Sequence, residues 1–344
     1  MDGSSLKPAT VVMMQNPADP IEARIINPGV ETNRSAFTEK AAWWDVEGAR
    51  VLNRRCTMDE FLTEAVMNYN VLKEQATRKN AKGEVVDIPN QFNLIRNDDE
   101  RVVSPKTVSD KYTVRIPRHL AQVLDPIVQN GLGIYDAAFT LYDGQSEVVT
   151  VRLCDIKAKP GNDPSDWMYY LVGQNYHGTG KARFKLAGNR VQCRNSVTRA
   201  FSGGADLAMV HSKSIVQKFA DAPKVWNEAA AAVKLHCERL AKLDKVVNVP
   251  ETIDELLAID DDATAQQKSL RDRIVAAANM PAMGTFGATL YDIFNAVTYD
   301  ITHHVGGKAG KTVGGRVESI LDGTRGDFEA EMTGKLFALA GVSV

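Results

Sequence analysis

Four turn signals between residues 71 and 193 constrain this chain more than any other feature. They are Asn80–Glu84 (NAKGE), Asn97–Glu100 (NDDE), Asp143-Gly144 and His177-Gly178-Thr179-Gly180, each lying between two strand-like runs. Asp-Gly and Gly-x-Gly supply the positive φ that tight hairpins need, so the runs they join pair antiparallel. A meander of three strands is expected from NVLKEQATR, VVDIPNQFNLIR and RVVSPKTVSDKYTVRI, with Pro89 and Pro105 at edges or irregular ends. Four more strands are expected from IYDAAFTLYDGQSEVVTVRLC and DWMYYLVGQNYHGTGKARFKLAGNRVQC. A helix precedes the meander, starting near Thr57 with Asp59 and Glu60 in its first turn. Another, PRHLAQVLDPIVQNG, separates the two β regions, and Pro126 is predicted to shorten or kink it.

From about Val210 the pattern turns helical. The fold class is therefore α+β: an antiparallel β-meander and hairpins packed on a central helix, with a largely helical C-terminal third. The organisation reads as an arm (1–45), an α+β core (46–245), an acidic linker and helix (246–286), and a C-terminal helical region (287–344). At 344 residues and 44% hydrophobic, the chain can bury one large core or two modest ones. No run approaches a membrane span, and the N-terminus lacks the apolar stretch of a signal peptide. The four cysteines are far apart with no CxxC spacing, which fits free thiols in a reducing cytoplasm.

Charge is the second strong signal. Between Trp167 and Ala205 there is no Asp or Glu, yet Lys181, Arg183, Lys185, Arg190, Arg194 and Arg199 all fall there, in a chain of net charge −2. Cations gather phosphates and release counterions, and flat side chains offer stacking faces, so this composition suits a polyanion. If 181–193 is a strand, Lys181, Arg183 and Lys185 form a row on its solvated face, with Phe184 and Leu186 pointing the other way. Lys111, Arg115 and Arg118 extend the patch, and Tyr176 and Phe184 are candidate stacking partners, although either also suits a core. The competing reading is an ordinary solvated strand face.

Catalytic constellations are weaker. Asp143, Asp155 and Lys157 have the order of an acid, then acid-x-lysine, that holds Mg²⁺ in metal-dependent nucleases, and period-two spacing puts Asp155 and Lys157 on one strand face. Asp143 is also what a turn before Gly144 requires for backbone reasons alone. Gly306–Arg316 contains Gly310-Lys311-Thr312, but Val305 occupies the position of the first P-loop glycine, which leaves a basic loop rather than a nucleotide site. His177, Cys193, His236 and Cys237 lack the spacing of a zinc site, and His177 reads as a turn residue. No cofactor or metal is expected.

Three stretches bear a family likeness. Asn175-Tyr176-His177-Gly178 leads to Arg190-Val191-Gln192-Cys193-Arg194-Asn195-Ser196; Trp43 precedes the first helix and meander; Gly287-Ala288-Thr289-Leu290-Tyr291 runs into Phe294-Asn295-Ala296-Val297-Thr298-Tyr299 and His304. Across roughly residues 40–340 the chain resembles the prokaryotic phage/plasmid-like family catalogued as domain of unknown function 932. Ser196 and Phe294 stand where that family usually has Thr and Tyr. The resemblance implies a mobile-element setting and no particular reaction. The layout is also similar to that of phage single-strand annealing proteins of the Red-beta and RecT kind, an analogy of architecture only.

The expectation is a binding protein, not an enzyme. It would hold single-stranded DNA in the host cytoplasm as a homo-oligomer and promote annealing, with a host single-strand-binding protein as a further partner. Its phosphate contacts would come from Lys181, Arg183, Lys185, Arg190, Arg194, Arg199, Lys111 and Arg115. The alternatives are a Mg²⁺-dependent nuclease using Asp143, Asp155 and Lys157, and a structural or anti-defence protein whose basic hairpin meets an acidic partner.

Overall fold

Gly144 and Gly178, both at positive φ, lie at the turns of a four-stranded antiparallel meander in the computed structural model. The structure describes residues 11–14, 23–26, 50–52, 55–141, 144–161, 167–178, 181–190, 220–280, 288–304 and 324–342. The meander strands are β6 (Gly133–Leu141), β7 (Ser146–Leu153), β8 (Trp167–Tyr176) and β9 (Lys181–Arg190). Three short strands, β1 (Val11–Met14), β2 (Ala23–Ile26) and β3 (Arg50–Leu52), add to the β6 edge in the order β3-β2-β1-β6-β7-β8-β9. The N-terminal 45 residues thus supply two strands of the sheet, and β9 stands at its other end.

Helix α1 (Met58–Glu64) starts where Thr57 and Glu60 form a reciprocal capping box, which satisfies two otherwise orphaned backbone donors. Helix α2 (Pro117–Gln129) lies across one face of the sheet and buries Leu120, Ala121, Val123, Leu124 and Ile127. Each such apolar side chain contributes about 1.5–3 kcal/mol on leaving water. The expected shortening at Pro126 does not occur. The helix continues to Gln129 because Pro126 sits in its last turns, and Asn130 closes the end by donating twice to the Pro126 carbonyl. Beneath α2, Phe61 stacks on Tyr135 at 4.9 Å between centroids, and the Tyr135 hydroxyl donates to Asp125 at 2.7 Å.

The expected three-stranded first meander is a two-stranded ribbon, β4 (Val71–Lys79) and β5 (Val85–Arg96). Residues 101–116 form no third strand: they pair with β5 backbone through the isolated bridges Phe92–Val108 and Ile95–Val102, and Thr107 and Asp110 donate to the Gln91 and Asn90 side chains. Pro105 lies between those bridges and has no N–H to give a continuous ladder. Pro89 is accommodated where the register shifts between Gln75 and Thr77, and the Gln75 amide donates to the carbonyls of Ile88 and Gln91 across the irregularity.

The helical remainder comprises α3 (Ala222–Ala241), α4 (Val249–Leu257), α5 (Ala265–Ala278), α6 (Leu290–His303) and α7 (Thr324–Leu339). Helix α3 joins these helices to the sheet layer: Trp226 Nε1 donates to the Cys154 carbonyl at 3.1 Å, and Cys237 Sγ lies 3.2 Å from the Tyr169 hydroxyl. Arg271 grips Asp254 and Arg273 grips Asp300, tying α5 to α4 and to α6. Phe294 stacks against Tyr291 in the core at 6.0 Å, so the position has an apolar role in which a hydroxyl is not needed. Among the described residues Cys56, Cys154 and Cys237 are in no disulfide, and no helix is long and apolar enough to cross a membrane.

Candidate nucleic-acid interface

Strand β9 alternates as period two demands. Ala182, Phe184 and Leu186 are buried on the sheet face that α2 covers, so the backbone places Lys181, Arg183 and Lys185 on the opposite face. Phe184 is fully buried, with its ring over Gly173, where a Cβ would come within 2.9 Å of Phe184 Cε1 and 3.5 Å of Leu124 Cδ1. It is therefore a core residue and not a stacking platform. The face opposite α2 is not an open sheet surface either. Val148, Arg152, Val172 and Gln174 share it by register and are all under 9% exposed. The cationic row thus lies along a terminal strand beside buried neighbours, and Lys185 is itself half-buried. Tyr176, also half-buried, pairs with Lys181 across the hairpin.

The loop before α2 reaches the tip of this hairpin. Gly178 N donates to the Tyr112 hydroxyl at 3.1 Å, and a Cβ on Gly178, whose φ is +76°, would lie 3.4 Å from Ser104 Cβ. Exposed Lys111 adjoins Tyr112 in sequence and half-buried Arg115 follows three residues on; it is Tyr112 that the structure brings to the hairpin tip. Burial holds the Arg115 guanidinium below its ordinary pKa, and Tyr112 works against that. Arg118 is held elsewhere, 2.6 Å from Asp59 and donating to Asn68. Arg194 and Arg199 lie outside the described residues, and of Lys181, Arg183 and Arg190 only the backbone is described.

Sequence reading missed the group that sets the hairpin base. Glu147 is fully buried on the α2 face. Its Oε1 accepts from the Tyr69 hydroxyl at 2.8 Å and lies 2.9 Å from His177 Nε2, while Oε2 accepts from Asn175 Nδ2 at 3.0 Å. Acting as a carboxylate it only accepts, so His177 presents its Nε2 proton. The Arg96 guanidinium sits 3.8 Å over the Tyr69 ring and is anchored through Nε to Asp98 at 2.8 Å. This cluster ties the ribbon, through Tyr69 and Arg96, to both hairpins of the meander. His177 is thus a buried partner of Glu147 and not a simple turn residue. One signal was available: Asn175 and His177 share a strand face at period two, opposite a lone acid in the apolar run of β7.

The nuclease constellation is not assembled on a strand. Asp155 lies past the end of β7 with φ +61°, and both it and Lys157 are exposed, so the one-face argument for them fails. Asp143 lies outside the described residues, as do Cys193 and the loop 306–316. Among the described residues no group of three His, Cys, Asp or Glu side chains has the arrangement to hold a metal ion.

A seven-stranded antiparallel sheet with α2 across one face and a largely helical C-terminal third defines an α+β architecture. The chain belongs to the family described as Domain of unknown function (DUF932), whose model matches residues 106–321. That span takes in α2, the β6–β9 meander and the helices through α6; it begins after the Trp43 region and the ribbon. No curated protein and no solved structure matches the chain, and the likeness to Red-beta and RecT proteins gains no support from these comparisons.

Proposed function

We propose that this protein binds single-stranded DNA along the β8–β9 hairpin and, as an oligomer, promotes strand annealing in phage or plasmid DNA metabolism. One observation carries the reading. The acid-free hairpin turns Phe184 and Leu186 to the face that α2 covers and leaves Lys181, Arg183 and Lys185 on the other face of a terminal strand, while Tyr112, beside Lys111 in sequence, reaches the hairpin tip. Annealing requires a cationic track that holds one backbone and leaves base edges free, and it requires no catalytic group. Tyr176 is the remaining stacking candidate, since Phe184 is committed to the core.

Salt dependence tests this reading. With four to six phosphate contacts, the slope of log affinity against log salt for a single strand is about −3 to −4. Raising salt from about 50 to 200 mM then weakens binding of a labelled oligonucleotide about 50- to 300-fold, read by fluorescence anisotropy. An oligonucleotide that stays free at micromolar protein and about 50 mM salt defeats the proposal and favours the reading in which the basic hairpin meets an acidic protein.

A further inference from the structure

Three arginines of known geometry use one hydrogen-bonding edge in one way. Arg96 closes its Nε/Nη2 fork on Asp98, Arg271 on Asp254 at 2.7 and 3.0 Å, and Arg273 on Asp300 at 2.6 and 3.3 Å. Arg152 differs. It is 3% exposed, yet neither its Nε nor its Nη2 has a hydrogen-bond partner. Among the described residues the carboxylate oxygen within 4 Å is Asp136 Oδ1, 3.9 Å from Nε and beyond hydrogen-bond reach. Its Nη1 donates to Met168 Sδ at 3.4 Å, and the Tyr170 hydroxyl donates to the same sulfur at 3.4 Å. A thioether is a weak acceptor on an adaptable side chain, a poor match for a guanidinium and a phenol.

Position adds to the chemistry. Arg152 pairs with Tyr170, which pairs with Ala187, so all three share the face of Lys185 and the cationic row of β9. A buried planar fork with two parallel N–H groups fits a bidentate oxyanion, either carboxylate or phosphate. The cationic face and the absence of acids in the neighbouring hairpin favour phosphate.

We propose that the Arg152 Nε/Nη2 fork is a binding site for one phosphate group, which competes with Asp136 while Nη1 stays on Met168 Sδ. The phosphate is either a free anion or one residue of a bound strand. The site itself does not depend on the strand-binding reading; only the second source does.

The test has two arms. In the first, thermal unfolding is followed during titration with inorganic phosphate at ionic strength held constant with chloride. The wild type gains stability beyond the chloride control, and Arg152→Lys, which keeps the charge but lacks the fork, loses that gain. Asp136→Asn removes the competing charge and lowers the half-saturating phosphate concentration several-fold. Equal phosphate stabilisation in wild type and Arg152→Lys overturns the site, as does a half-saturation that Asp136→Asn leaves unchanged or raises, or no stabilisation in either background. In the second arm, labelled oligonucleotide is titrated with salt. If the phosphate belongs to a strand, the log–log salt slope of Arg152→Lys falls by about 0.7, one phosphate's worth. An unchanged slope with a positive first arm identifies the free anion as the ligand. Failure of oligonucleotide binding in every protein defeats the strand-binding reading and leaves the phosphate site standing.

Discussion

Glu147→Ala is the most informative single perturbation, because it removes one acceptor from three buried donors at once. Tyr69 OH, His177 Nε2 and Asn175 Nδ2 lie 2.8, 2.9 and 3.0 Å from its oxygens. A buried donor left unsatisfied costs about 1–3 kcal/mol. Three such costs do not add in full, because members of one network relax together and water enters the space left behind. The expected loss is thus about 4 kcal/mol, a large part of the roughly 5–15 kcal/mol of a typical domain. Urea denaturation gives the number, provided the slope with denaturant is unchanged. Tyr69→Phe removes one donor and keeps the ring under Arg96, so it costs about 1–2 kcal/mol. The two variants combined should lose less than the sum of their separate losses. A Glu147→Ala loss below about 1 kcal/mol, or full additivity with Tyr69→Phe, refutes the view that this cluster holds the hairpin base.

Other perturbations reach different parts of the fold. Gly173→Ala puts a methyl 2.9 Å from Phe184 Cε1 and should cost about 1–3 kcal/mol, with part recovered in Gly173→Ala/Phe184→Leu; calorimetry decides. His236 packs edge-on against Phe337, and burial, aided by Arg239, pushes its pKa down to about 3. Between that value and the ordinary histidine pKa of about 6.5 the unfolded chain binds more protons, so stability falls as pH drops through this window, by up to about 1.4 kcal/mol per pH unit. His236→Phe should flatten that share of the pH dependence, and equal slopes in the two proteins would contradict it. Asp155 holds φ +61°, so Asp155→Gly should be more stable than Asp155→Ala by up to about 1 kcal/mol in urea, as befits a turn residue.

The strand pairings of the β6–β9 meander were legible because their turns carry glycine at positive φ, at Gly144 and Gly178. The capped start of α1 was legible for a similarly local reason, the Thr57–Glu60 spacing. The third strand of the first meander was not, since β-rich composition over 101–116 does not reveal how Pro105 interrupts a ladder. Alternation along β9 puts Phe184 and Lys185 on opposite faces, as the register does. It did not disclose that Val148 and Val172, on the cation side, are buried as well, because burial of a sheet's second face depends on elements distant in sequence. Glu147 was overlooked for the same reason: its partner Tyr69 is 78 residues away, and no local spacing encodes that contact. Arg152 likewise reads as one more charge at a strand end until its unanswered fork is seen beside the closed forks of Arg96, Arg271 and Arg273.

The claim that the β8–β9 hairpin is the DNA-binding surface is tested most directly by charge reversal on that hairpin. Lys181→Glu/Arg183→Glu should keep the wild-type urea midpoint while its affinity for a labelled single-stranded oligonucleotide falls at least about 30-fold at low salt, because two phosphate contacts become two repulsions. If the folded double variant binds and anneals the oligonucleotide as the wild type does, this hairpin is not the binding surface.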